Sequence, residues 1–185
     1  MKLYLVTALL SLLSGSLFAQ AFEGWLFYEQ KWQGKATEVI IGMASDKAHI
    51  HRKEAVALHY VLQAGGELTA WGEGEYQPSQ SRVQPVVLPE FKKLSGHKII
   101  SGLKAKELSY TLSDGSVLSG WYTTELDVAY NQFIAPVQGE YWGVLPENGT
   151  LLSWKVVSAK GNLLLEGKLT HHQKEQLPAE SFSFR

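Results

Sequence analysis

Residues 21–32 read AFEGWLFYEQKW, and the order of apolar and polar side chains in this stretch decides the fold class. Phe22, Leu26, Tyr28 and Trp32 fall on one parity, while Trp25 and Phe27 fall on the other. Alternation with period two is the mark of a strand, and a helix would instead repeat its apolar positions every three or four residues. Similar short runs follow along the chain. They are Val39–Met43, Ala48–Arg52, Ala55–Gln63, Glu67–Gly72, Lys98–Ser101, Lys104–Leu112, Ser116–Thr123, Glu140–Val144, Leu151–Ala159 and Asn162–His171. Gly, Asp, Asn and Pro punctuate them. Ser113-Asp114-Gly115-Ser116 reads as a type I′ hairpin turn, and Lys160-Gly161-Asn162 reads as a second hairpin. Tight hairpins join antiparallel neighbours, so a meander is expected. Short helical turns are expected only near Glu90–Leu94 and Asp127–Phe133.

Several strands are apolar on both sides. Leu163, Leu165 and Leu169 share a parity with Leu164 opposite, and Val56, Leu58, Tyr60 and Leu62 oppose Ala55, Ala57 and Val61. A sheet with one wet face should alternate cleanly. Two architectures account for the surplus. One is a packed sandwich with aromatics scattered over its surface. The other is a curved sheet or barrel whose concave face encloses an apolar cavity. Between Gly72 and Leu94 the texture turns polar, with Pro78, Pro85 and Pro89 closely spaced. Proline is confined to sheet edges and loops, so this stretch is a connection or an edge segment.

The first residues carry a different signal. Lys2 precedes an apolar run from Leu3 to Leu13, and Ala19-Gln20-Ala21 follows as a small-x-small triplet, the pattern of a cleavable export signal over residues 1–21. The apolar run is shorter than the roughly 20 residues that span a bilayer. No second span is expected, and residues 22–185 are expected to form a single β-rich domain. The chain has no cysteine, which excludes disulfides, thiolate metal sites and a lipid-bearing cysteine. A net charge of −1 gives no footprint for nucleic acid or an anionic membrane surface. Six Trp, eight Tyr and seven Phe are the remaining peculiarity.

Catalytic patterns are weak. His49 and His51 share a strand face, but no third metal ligand is spaced to join them. His171 and His172 are adjacent and so point oppositely. Asp114 is explained by its hairpin, with Glu125 or Asp127 its only conceivable acid–base partners. No G-x-S-x-G elbow occurs, and Gly72-x-Gly74 lacks the helix of a phosphate cradle.

Phe22-Glu23-Gly24-Trp25-Leu26-Phe27-Tyr28, Ile100-x-Gly102-x-Lys104-x-Lys106, Trp121-Tyr122-Thr123-Thr124-Glu125-Leu126 and Tyr141-x-Gly143-x-Leu145-Pro146 together resemble segments of the GLPGLI family and related exported bacterial domains of unknown function. Ala105 replaces a cysteine common in that family, and Val144 interrupts the Gly-Leu-Pro. The resemblance implies a curved antiparallel sheet like that of periplasmic lipoprotein carriers, with an apolar groove.

The expected fold is all-β, an antiparallel half-barrel or barrel with one or two short helices. The expected function is a non-enzymatic exported module, periplasmic or secreted, that holds a lipid or other apolar ligand and needs no cofactor. Trp25, Phe27, Tyr60, Trp71, Trp121, Phe133, Trp142 and Trp154 are its candidate lining. The alternative is an envelope module that binds a partner protein through a sheet edge or aromatic patch. Cleavage after Ala21 or after Ala19 fits this pattern, so N-terminal sequencing of the protein recovered from outside the cytoplasm should begin at Phe22 or Gln20; an intact Met1 would remove the export signal from the account.

Overall fold

The computed structural model describes residues 22–84, 92–126, 128 and 149–184. Eleven strands run through these residues: β1 Gly24–Trp32, β2 Lys35–Met43, β3 Lys47–Lys53, β4 Leu58–Gln63, β5 Glu67–Gly72, β6 Ser79–Arg82, β7 Lys92–Ile100, β8 Leu103–Thr111, β9 Val117–Thr123, β10 Thr150–Val157 and β11 Leu163–Lys174. They form one antiparallel sheet in the order β6-β5-β4-β3-β2-β1-β11-β10-β9-β8-β7. The first strand pairs with the last at the centre, and a meander runs outward on each side. β6 and β7 end the sheet without pairing to each other. The curved sheet is therefore an open half-barrel, not a closed barrel. The helical content described is a single 3-10 turn, Ala179–Phe182, and among the described residues no helix is long and apolar enough to cross a membrane.

Two hairpins close with two residues in the left-handed region, Gln33-Gly34 and Ser101-Gly102. These are the type I′ turns, whose twist matches that of the flanking strands. The Asp114 hairpin corrects its sequence expectation. Only Gly115 has positive φ there. The Gly115 amide donates to the Leu112 carbonyl (3.0 Å) and the Leu112 amide to the Ser116 carbonyl (2.8 Å), a three-residue loop ending in a bulge. Asp114 adopts negative φ because its carboxylate accepts from both the amide and the hydroxyl of Ser116 (2.8 and 2.9 Å), an Asx arrangement. Those same bonds hold its carboxyl below the usual range.

One further expectation changes. Lys92–Leu94 belongs to β7 and is not a helical turn, while the second expected turn, apart from Val128, and the Glu140–Val144 strand lie outside the described residues. The proline-rich connection contains an edge strand, because Ser79–Arg82 pairs with Glu67–Ala70. β6 is short and wholly exposed.

One face of the sheet carries the core. Leu26, Val39, Ile41, Ile50, Leu108, Leu118, Leu151 and Leu152 are completely buried on it. Burial of a side chain of this size stabilises by about 1.5–3 kcal/mol. Tyr28 and Trp154 meet edge-to-face at 5.7 Å between centroids. Bulges near the centre bend the sheet and change which parity points inward. β11 carries two. Thr170 is the extra residue opposite Phe27/Tyr28, and its hydroxyl donates to the Phe27 carbonyl at 3.0 Å. Leu164 is the extra residue opposite Val156/Val157. Leu163, expected beside Leu165 and Leu169, is consequently turned outward and is 52% exposed. Leu152 bulges against β9, which lets two consecutive leucines reach the core.

The Trp154 indole lies directly over Gly167 on β11, so that a Cβ at Gly167 would fall on the ring. Gly167→Val should destabilise the protein by about 1–3 kcal/mol in a urea titration through overpacking; unchanged stability would show that the indole is free to move aside.

Candidate functional site

The cross-strand registers divide the candidate aromatics between the two faces. Tyr60 and Trp154 lie on the core face, Tyr60 half-buried and Trp154 buried. Trp25, Phe27, Trp71 and Trp121 occupy the opposite face, as their partners Gly42, Ile40, His59 and Ser153 show. These six do not converge on one pocket. Phe133 and Trp142 lie outside the described residues.

On the core face, several of the apolar side chains toward the free edges of the sheet are only partly buried. Tyr60 on β4, Leu68 on β5, Val83 just after β6 and Ile100 on β7 are only partly buried, and all four pack against the core cluster. The open seam is thus apolar. Elsewhere on the core face, on the central strand β1, Gln30 is 7% exposed, and its side-chain amide nitrogen has no hydrogen-bond partner among the described residues. A buried, unpaired amide donor costs about 1–3 kcal/mol, and it is the kind of group that anchors a polar head in an apolar site.

The opposite face has two halves. Across β1, β11, β10 and β9 it is a charged cleft of about 550 Å³ lined by Glu29, Lys31, Glu107, Trp121, Lys155, Glu166 and Lys168 among others. Partners in register neutralise one another: Lys168–Glu29 at 2.8 Å and Lys31–Glu166 at 3.3 Å. The Lys98 ammonium sits 4.0 Å above the Trp121 ring, a cation–π contact.

Across β2 to β5 the same face is a ladder of rings. His51 stacks on His59 at 4.3 Å, and His59 stacks on Trp71 at 5.1 Å with planes 3° apart. His49 lies beside both, 5.4 Å from His59 and 5.8 Å from Trp71. The chain's own C-terminal segment crosses this ladder. Leu177 and Trp25 pack over Gly42, where a Cβ would stand 3.1 Å and 2.6 Å from their nearest atoms. Phe184 meets Trp71 edge-on at 5.6 Å, and Phe182 lies under the Lys47 ammonium at 4.9 Å. His49 Nδ1 is 2.6 Å from the Ser181 carbonyl, which only accepts, so Nδ1 carries the proton. His49 Nε2 is then a lone pair, and His59 Nδ1 donates to it at 3.1 Å. Burial, with His59 and His51 alongside, pushes His49 down to about 4 despite the Ser181 contact. Burial lowers His51 and His59 as well.

The sequence signal at His49 and His51 was their i, i+2 spacing. It could not show that His59 and Ser181 complete the group, since Ser181 lies 132 residues away. Among the described residues no set of three His, Asp or Glu is disposed to hold a metal ion.

No family model matches the chain, and no curated protein is similar to it in sequence. Its fold does recur in solved structures. An uncharacterized conserved protein from Thermus thermophilus aligns at TM-score 0.61 and 9% identity, over 95% of this chain and 92% of that one. PNGF-II aligns at TM-score 0.55 and 16% identity, over 88% of this chain but only 29% of PNGF-II. Two weaker likenesses, to MucB (TM-score 0.40, 14% identity, 88% and 57% of the two chains) and to a DUF1329 family protein from Desulfovibrio piger (0.38, 9%, 89% and 90%), carry no argument. The likenesses to the Thermus thermophilus protein and to PNGF-II establish a shared fold.

The two halves of the outer face should differ in stability terms. Trp71→Ala should cost about 3 kcal/mol, as for other buried aromatics, whereas Lys168→Ala should cost less than about 1 kcal/mol because its ion pair is exposed. Urea titration of both variants measures the contrast, and equal losses would contradict this division of the face.

Proposed function

We propose that this chain is an exported binding module, periplasmic or secreted, that takes an apolar ligand such as a lipid acyl chain on the core face of its open sheet. The observation that carries the proposal is the seam. Apolar side chains packed on the core remain half-buried at Tyr60, Leu68, Val83 and Ile100, toward two sheet edges that do not join. A flexible apolar chain laid there would cover the surface that the sheet leaves open. Gln30 offers a donor to a carbonyl or carboxylate head. Export is supported by the signal-like residues 1–21, and the short motifs that resemble GLPGLI-family segments agree with an envelope protein.

Strand addition by a partner protein is the less supported reading. β6 offers only four residues, all polar and exposed. β7 breaks register between Lys93 and His97 and turns Lys98 over Trp121. Short, irregular, charged edges resist pairing with another chain.

Delipidated protein should bind a fluorescent fatty acid at one site. Leu68→Glu should weaken that binding at least about tenfold by placing a charge on the apolar seam, and Lys168→Ala, on the opposite face of the sheet, should leave it unchanged. Absence of binding, or equal binding by wild type and Leu68→Glu, would sink the proposal.

A further inference from the structure

We propose that the end of the sheet at which β1 finishes is a rim that docks on the surface of a zwitterionic lipid bilayer, with Trp32 and Tyr76 as its principal anchors. The topology fixes which turns share that end. Because every neighbouring pair of strands is antiparallel, the β1–β2, β3–β4, β5–β6, β8–β9 and β10–β11 connections all lie there. Of the six large apolar side chains that stand exposed among the described residues, five belong to this end: Trp32, Val56, Tyr76, Val117 and Leu163. Ile99 lies at the other end, beside the β7–β8 turn.

Single exposed apolar residues need no explanation; their gathering at one end does. Trp32 is 55% and Tyr76 96% exposed, so folding leaves both rings largely in water. Val117, Val157 and Leu163 oppose one another directly across β9, β10 and β11 and form a short apolar row at the rim. The Gln33 amide donates to the Leu164 carbonyl at 3.1 Å, which ties the turn after Trp32 to the start of β11.

The occupant follows from area and charge. Two folded proteins need about 800 Å² of continuous, complementary surface on each side. Here the apolar tips are parted by polar turns at Gln33-Gly34, Glu73–Glu75, Ser113–Ser116 and Lys160–Asn162, and they provide no such patch. A bilayer interface asks for no shape match and takes side chains one at a time. Trp and Tyr favour it, since an apolar ring with a polar edge suits the headgroup level. Charges at this end are of both signs. Arg52 pairs with Glu54 and Lys53 with Glu38, while Lys35 and Lys160 share the rim with Glu73, Glu75 and Asp114. Such a rim lacks the polybasic cluster that anionic lipid attracts, so the fitting surface is zwitterionic and the attachment apolar. Hairpin tips enter only to headgroup depth, where water still satisfies the backbone of the turns. This docking does not depend on a ligand on the core face.

Co-sedimentation with sucrose-loaded phosphatidylcholine vesicles tests this on the processed protein recovered from outside the cytoplasm, whose apolar leader no longer contributes. The wild type should sediment with the vesicles. Raising the salt from about 0.1 M to about 1 M should change its partition coefficient by less than about twofold. Trp32→Ala and Tyr76→Ala should each lower the coefficient about three- to tenfold. Ile99→Ala should leave it unchanged, as should Leu68→Glu, which disables only the core-face site. Tyr76 is almost wholly exposed, so its variant reports on docking even if Trp32→Ala disturbs the β1–β2 turn. No sedimentation, release by salt, or an equal loss in Ile99→Ala would overturn the proposal. So would rim variants that lose self-association yet keep vesicle binding, which would assign the rim to a second copy of the chain.

Discussion

The pairing of β1 with β11 is the contact on which the rest of the structure depends. The strands flanking the centre are joined by connections shorter than this closure, most of them local hairpins, with residues 124–149 lying between the paired β9 and β10. Joining the two requires residues 24–32 to find residues 165–174, a closure whose entropy cost must be met before any core contact rewards it. Once made, it merges two half-sheets into one curved surface and sets Tyr28, Leu169 and Trp154 against one another. The Thr170 bulge sits inside this central pair and decides which β11 side chains turn inward.

That central pair also explains how much was legible in the amino-acid order. The all-β class and most of the strands follow from alternation in segments such as Gly24–Trp32 and Val117–Thr123. Tight turns at glycine were legible as turns, yet not by type. The left-handed pairs are Gln33-Gly34 and Ser101-Gly102, while the Asp-Gly hairpin takes a longer loop because Asp114 bonds to Ser116 instead. Facing was the least legible feature. Parity assigned Leu163 to the same side as Leu165, but the Leu164 bulge reverses it, and a bulge has no composition of its own. β6 was obscured by its prolines, which mark an edge as readily as a loop.

The two-sided apolarity of the sequence has a physical resolution in the fold. Part of the surplus belongs to the core face, which stays half-open at the seam. The rest, around Trp25 and Trp71, is covered by the chain's own C-terminal segment. Aromatic candidates chosen by residue type were thereby spread over two faces with separate roles. The histidines, ordinary by spacing, become a connected group only because strands β3 and β4 bring His49 and His59 side by side and the last residues return across them. Charge at the far half of the outer face is balanced pair by pair, which suits a solvated surface.

A chain without cysteine gives a clean background for testing the central pairing by cross-linking. Lys31 stands opposite Glu166 in the β1–β11 register, and directly opposed antiparallel residues fall within disulfide reach, about 4.5–5.5 Å between Cα atoms. The Lys31→Cys, Glu166→Cys double variant should form an intramolecular disulfide rapidly under mild oxidation, seen as faster migration on a non-reducing gel. If it remains reduced or links only between molecules, the first and last strands are not neighbours and the eleven-stranded sheet is wrong.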